Sequence, residues 1–186
     1  MKCLIDPELS HGETDLFHHI YRQAAKTLPE VGHLPPTAFF RTGPRVSLPG
    51  LKPGNIAALK IDMPGDDAGK DVLASMLREF ARHADADLTI MLLESWMIKP
   101  NNEEAQYMKE HGEFRVRPSQ HPGRFEIVLI SINKPGGHNW SAWVEIMRDG
   151  DGVPSIAPEP PSLEYLRSEG RFANILDGAG TQPSLS

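Results

Sequence analysis

A polar segment between His111 and Glu126 is the part of this 186-residue chain whose side chains could do chemistry. It holds three arginines and two histidines within sixteen residues, whereas the whole chain has a formal charge of −6. Guanidinium groups carry parallel N–H donors that fit phosphate and carboxylate groups. The segment therefore predicts a binding site for an anion. The residues expected to hold the ligand are Arg115, Arg117, Ser119, His121 and Arg124.

The same residues fit two other interpretations. Residues 100–123 form a long stretch that Gly112, Pro118, Pro122 and Gly123 interrupt, and such loops in compact domains often carry function. The arginines could instead pair with nearby glutamates in a solvated loop, or they could reach a second subunit. The sequence leaves these three interpretations open.

Glu94 is the second candidate for chemistry, because it interrupts the apolar run from Leu88 to Ile98. Side chains alternate along a strand, so Glu94 would share a face with Leu92 and Trp96. A carboxylate on a covered face must be paired or neutral. We expect a cation of the polar segment as its partner, with His121 as one choice. The pair would be a salt bridge that anchors the loop, or the general acid and base of a catalytic site.

Motifs that would specify a reaction are absent from the sequence. It contains no G-x-G-x-x-G, no Walker loop, no H-E-x-x-H and no C-x-x-C. Ser95 lacks the flanking glycines of a nucleophile elbow. His18 and His19 are adjacent, so on a helix they diverge and cannot chelate one metal ion. We therefore expect no metal and no cofactor.

These observations favour a non-catalytic protein that binds a partner protein or a small anionic ligand. The alternative is a hydrolase or transferase for a phosphate- or acyl-containing substrate. In that case Glu94 and His121 would act as general acid and base, and Arg115, Arg117 and Arg124 would hold the anion.

Composition limits the other classes of function. A formal charge of −6 and a pI near 5.7 disfavour nucleic-acid binding, which needs cations to replace phosphate counterions. No stretch of about 18 apolar residues could cross a membrane. The N-terminal sequence lacks the apolar core of a signal peptide, and Cys3 is the only cysteine, so we expect a cytoplasmic protein without an internal disulfide.

The elements that position these residues begin with the run from Leu88 to Ile98. It is apolar, contains β-branched and aromatic residues, and lacks glycine and proline until Pro100. Such a run predicts a strand covered on both faces, at the centre of the core.

Periodicity and turn residues predict the remaining elements. They are a helix from the capping box Ser10–Glu13 to Pro29, short extended pieces in the proline-rich residues 31–54, a strand over 55–63, a helix carrying Val72 to Phe80, a short helix over 103–110, strands over 124–133 and 139–149, and a short strand over 153–156.

Together the elements predict one α+β domain over residues 1–157. Its sheet would be mixed, mainly antiparallel and of about five strands, with two principal helices. The order α-β-β-α-β-β-β resembles the roadblock or profilin-like arrangement, although that arrangement places the strand after the second helix at a sheet edge. Residues 158–186 would be a proline-rich extension with a short helix over 162–168 and a mobile tail. Tryptophans on both faces of the apolar strands favour a homo-oligomer, and we expect a dimer.

Overall fold

The computed structural model describes residues 9–112, 115–116, 118–166 and 175–176. Within them the chain forms three α-helices, one short 3-10 helix and eight strands. The helices are α1 (His11–Val31), α2 (Asp67–His83) and α3 (Asn102–His111), and the 3-10 helix is Pro118–Gln120. The strands are β1 (Thr37–Arg41), β2 (Ile56–Lys60), β3 (Leu88–Ile98), β4 (Arg124–Lys134), β5 (His138–Glu145), β6 (Met147–Arg148), β7 (Pro154–Ser155) and β8 (Glu164–Leu166).

The fold is of the α+β class, as predicted. Six strands form the main sheet in the order β2-β1-β3-β4-β5-β8, and β6 and β7 form a separate pair. Every neighbouring pair in the main sheet is antiparallel. Because β2 and β3 are both antiparallel to β1, they point in the same direction, and α2 makes the crossover between them.

The predicted central strand is confirmed with the predicted bounds. β3 lies between β1 and β4 and pairs with β4 from Thr89 to Ile98. A roadblock or profilin-like arrangement would place this strand at an edge, so the resemblance is limited to the order of elements along the chain.

The two long helices cover opposite faces of the sheet, because strand residues alternate between the faces. On one face, Phe17 and Tyr21 of α1 pack in a cluster with Ile90 of β3 and Val128 of β4. On the other face, Leu77 of α2 packs in a cluster that includes Met91 and Phe40. Full burial of side chains of this size contributes roughly 1.5–3 kcal/mol each relative to exposure.

Helix α1 starts as predicted and ends two residues later than predicted. The side chain of Ser10 accepts from the backbone N–H of Glu13, and Glu13 returns the bond to Ser10. Pro29 lacks an N–H, but the helix continues to Val31, where Gly32 ends it in the left-handed conformation at φ 83°. Loss of one hydrogen bond in the final turn does not stop the helix here.

The prediction of a short helix over 162–168 is wrong for the residues of that range that the structure describes. Glu164–Leu166 form β8, which pairs with Asn139–Ser141 of β5. The edge of β5 offers unpaired backbone groups, and an extended segment satisfies them where a single helical turn could not. The predicted mobile tail from residue 177 lies outside the described residues. No helix in the described part of the chain is long and apolar enough to cross a membrane.

A buried carboxylate joins α1 to two strands at one end of the sheet. The side chain of Glu13 is 4% exposed and accepts from Arg41 Nη2 on β1 and Lys134 Nζ on β4, each at 3.0 Å. Its Oε2 also accepts from the backbone N–H of Ser10 at 2.9 Å. Burial raises the pKa of Glu13, but the bonds from Ser10, Lys134 and Arg41 outweigh it, so this pKa lies below its ordinary value.

Replacing this carboxylate should destabilise the fold. Glu13→Gln removes the charge that Arg41 and Lys134 compensate, and we expect the free energy of unfolding in urea at neutral pH to fall by about 1–3 kcal/mol. Glu30→Gln, at an exposed position of the same helix, is the matched control and should change it by less than about 0.5 kcal/mol. Equal effects of the two substitutions would contradict the assigned role.

The pH dependence of this difference follows from the lowered pKa. The stabilisation by Glu13 is fully present above its ordinary pKa of 4.5 and is lost as the pH falls through the lower value of the folded protein. The stability gap between the wild type and Glu13→Gln should therefore narrow below pH 4.5. Urea unfolding of both proteins across the acid range measures the gap.

Candidate functional site

The candidate site lies where the helix cover of β3 ends. On the α1 face, Leu88, Ile90 and Leu92 are buried, whereas Trp96 is 38% exposed. In the register with β4, Trp96 lies opposite Glu126, and Ile98 lies opposite Arg124. Cross-strand partners share a face, so this end of the sheet presents one indole, one carboxylate and one guanidinium together.

These side chains line a surface cavity of about 550 Å³, which we call the arginine cavity. The lining residues are Trp96, Gln120, His121, Pro122, Arg124, Phe125, Glu126, Ile146 and Arg148. Four elements supply them: β3, the segment before β4, β4 itself, and the chain that follows β5. Two guanidinium groups against one carboxylate make the lining net positive.

Arg124 is held by contacts that leave its charge uncompensated. Its guanidinium lies 4.6 Å from the centroid of the Trp96 ring, within cation–π range. Its Nη1 donates to the carbonyl oxygen of Ser119 at 2.5 Å. Among the described residues no carboxylate pairs with Arg124, so an anion could take that place.

Among the residues that the structure describes, Arg148, unlike Arg124, forms an ion pair with a carboxylate, that of Glu126. Its Nε and Nη2 both donate to Oε2 of Glu126, at 2.9 and 2.7 Å, and its Nη1 donates to the carbonyl of Gly152. In the part of the chain that the structure describes, nothing donates to the other oxygen of Glu126, Oε1. The ion pair therefore leaves one acceptor atom available.

Both ring nitrogens of His121 have partners. The backbone N–H of Gly123 donates to Nδ1 at 3.0 Å, and Nε2 lies 2.5 Å from Oε1 of Glu104. A nitrogen that accepts from a backbone N–H carries no hydrogen itself, so Nε2–H is the donor to Glu104. His121 thus anchors the segment before β4 to α3.

Glu104 is positioned for this bond by the start of α3. Asn101 and Glu104 form a capping box, in which each side chain accepts from the backbone N–H of the other. The bond from the Asn101 N–H, followed by the bond from His121, lowers the pKa of Glu104 below its ordinary value. The carboxylate is therefore ionised when it holds His121.

The expectation that Glu94 pairs with a cation of the polar segment, with His121 as one choice, is not met in the described residues. Oε1 of Glu94 accepts from the backbone N–H of Leu34 at 2.7 Å, which ties the segment between α1 and β1 to β3. The carboxylate partner of His121 is Glu104 instead. Glu94 does share a face with Leu92, as the alternation of β3 requires, but its partner lies 60 residues earlier in the chain and not in the polar segment.

The structure brings together only part of the predicted anion site. His121 and Arg124 line the arginine cavity, and Ser119 contributes its carbonyl to Arg124. The Arg115 guanidinium instead lies 4.6 Å from the ring centroid of Tyr107 on α3. Arg117 lies outside the described residues.

Sequence reasoning missed Glu104 and Arg148 as parts of the site. The capping-box spacing of Asn101 and Glu104 was a readable signal for the helix start, but not for the contact with His121. Arg148 follows β5, and only the path of the chain after Glu145 returns it to Glu126. No sequence pattern indicates that return.

Comparison of the chain with protein-family models, with curated proteins and with solved structures found no match. In the described residues, no group of three or more histidine, cysteine, aspartate or glutamate side chains could hold a metal ion.

The contact between Arg124 and Trp96 can be tested without a ligand. Arg124→Ala uncovers the indole, so we expect a red shift of tryptophan emission and a loss of less than about 1 kcal/mol of stability. Arg82→Ala on α2, where the guanidinium pairs with Glu79, is the control and should leave the emission unchanged. The shift should vanish in the Trp96→Phe background. A shift that persists there would place Arg124 near another tryptophan.

Proposed function

We propose that this protein is a non-catalytic binding protein that takes a small anionic ligand in the arginine cavity. The observation that carries the proposal is the guanidinium of Arg124, which lines the cavity and has no carboxylate partner in the described part of the chain. A charge-assisted bond to a phosphate or carboxylate would satisfy it. His121 and Ser119 fix the segment that precedes Arg124 and so hold the cavity wall in place.

A hydrolase or transferase is less well supported. A general base needs a free lone pair within hydrogen-bond reach of the proton that it takes from the substrate. Nδ1 of His121 accepts from Gly123, and Nε2–H is used by Glu104. Glu94 has a separate structural contact with Leu34. The proposal therefore assigns no catalytic role to Glu94 or His121.

We also propose that the protein partner is a second copy of the chain, joined through β2. A groove of about 600 Å³ lies between this edge strand and α2. Beside it, Val72 and Met76 of α2 are 60% and 64% exposed, which is costly for large apolar side chains in a monomer. A second copy would cover both the strand edge and the apolar residues.

The backbone of β2 is compatible with this pairing. Asn55 and Ile61 make their hydrogen bonds toward the β1 side. Residues alternate in direction, so the backbone groups of Ile56, Ala58 and Lys60 point outward. Antiparallel pairing centred on Ala58 would set Lys60 against Ile56 of the partner subunit, with no like charges opposed.

The proposed location is the cytoplasm, since a single cysteine gives no sign of an oxidising compartment.

Anion binding is tested by calorimetric titration with inorganic phosphate. Arg124→Gln should weaken binding at least about tenfold, because it removes a charge-assisted hydrogen bond. Arg82→Gln, which removes the same charge from α2, should bind as the wild type does. Equal affinities of the wild type and Arg124→Gln for an anion that binds would refute the proposal, and so would a wild type that binds neither phosphate-containing nor carboxylate-containing anions.

Self-association is tested by size-exclusion chromatography with light scattering. We expect the wild type to have twice the chain mass, and Met76→Glu to shift it toward a monomer, since a charge would be buried against apolar atoms. Met108→Glu changes a methionine of α3 that is 38% exposed and should leave the mass unchanged. A monomeric wild type at micromolar concentration would exclude the dimer.

A further inference from the structure

We propose that the ligand of the arginine cavity is a polyhydroxylated anion, a small molecule with one phosphate or carboxylate group and hydroxyl groups a few bonds away. The inference rests on the proposed anion-binding function and names the class of ligand for the same site. The inference is based on two β4 side chains of opposite charge, Arg124 and Glu126.

The spacing of these two groups suits a small ligand with two polar ends. Arg124 and Glu126 are two residues apart on β4, so their side chains leave the same face of the strand. A strand rises about 3.3 Å per residue, which separates their Cα atoms by about 7 Å. A chain or ring of a few carbon atoms spans that distance and can place a polar group at each end.

The hydrogen bonds that Glu126 already makes favour a hydroxyl group of the ligand as its second contact. Oε2 accepts twice from Arg148, and in the described residues Oε1 has no donor. An ionised carboxylate only accepts hydrogen bonds, so the ligand must supply a donor. Arg148 already compensates the charge of Glu126 and would repel an ammonium group. A neutral hydroxyl can donate to Oε1 without that penalty.

The remaining wall of the cavity suits the carbon skeleton of such a ligand. Trp96, which is 38% exposed, and the largely buried Ile146 are apolar and line the same cavity as the charged groups. Contact with C–H groups would remove this surface from water, which is favourable. A simple inorganic anion would leave it uncovered. The lining thus offers a cationic donor, an anionic acceptor and apolar side chains in one cavity.

The test compares hydroxylated and bare anions by calorimetry on the full chain. Glucose 6-phosphate is paired with inorganic phosphate, gluconate with acetate, and glucose serves as the neutral reference. In at least one pair, the hydroxylated member should bind about tenfold tighter than its bare counterpart. The pair with the larger gain identifies the anionic group as phosphate or carboxylate. Glucose should bind at least tenfold more weakly than that hydroxylated anion.

Glu126→Gln isolates the second contact. It should remove most of the tenfold gain of the hydroxylated anion while leaving the bare anion bound at least as tightly as in the wild type. Glu145→Gln is the matched control, since Glu145 is exposed on the neighbouring strand β5 and is not part of the cavity. The wild-type comparison does not depend on this variant, so it decides the matter even if Glu126→Gln folds poorly.

The outcomes separate this inference from the proposed function. If bare and hydroxylated anions bind with equal affinity in both pairs, the proposed ligand class is wrong, whereas the proposed anion-binding function is retained. If glucose binds as tightly as glucose 6-phosphate, the anionic group is not recognised and the inference falls. If no anion of the set binds the wild type, the proposed function fails together with it.

Discussion

The continuous pairing of β3 with β4 is the constraint on which the rest of this molecule depends. From Thr89 to Ile98 each residue of β3 has a partner on β4, so the face of every side chain on both strands is fixed by the register. A slip of one residue would turn the side chains that pack against α1 toward the face that α2 covers. The same alternation that buries Leu88, Ile90 and Leu92 delivers Trp96 to the end of the face where α1 no longer covers it.

The two ends of this strand pair serve different purposes. At one end the carboxylate of Glu13 gathers Arg41 and Lys134, so α1 is tied to β1 and β4 by charges that are mostly shielded from water. At the other end the guanidinium of Arg124 has an indole and a carbonyl for neighbours but no counter-charge in the described residues. Compensated charge marks one end, and a guanidinium without a counter-charge in the described residues marks the end where we propose that the ligand binds.

The sequence was informative where one local pattern decides the outcome. The bounds of β3 followed from an uninterrupted apolar run closed by a proline, and the start of α1 followed from the spacing of Ser10 and Glu13. It was uninformative where two distant segments meet. The contacts of His121 with Glu104 and of Glu94 with Leu34 depend on the path of irregular chain, and no periodicity encodes that path. Residues 164–166 became a strand because the edge of β5 was free, which is a property of the sheet and not of those residues.

The two outer strands of the main sheet differ in how much backbone they offer to another molecule. β8 has three residues and follows a proline-rich stretch, whereas β2 has five and lies beside the apolar groove of α2. A strand of three residues is too short to template the addition of a further chain. Pairing between identical β2 edges consumes both of them at once. In the proposed dimer, growth of the sheet by repeated addition, the route to fibres, would therefore be prevented at β8 by the short strand and at β2 by the pairing of the two copies.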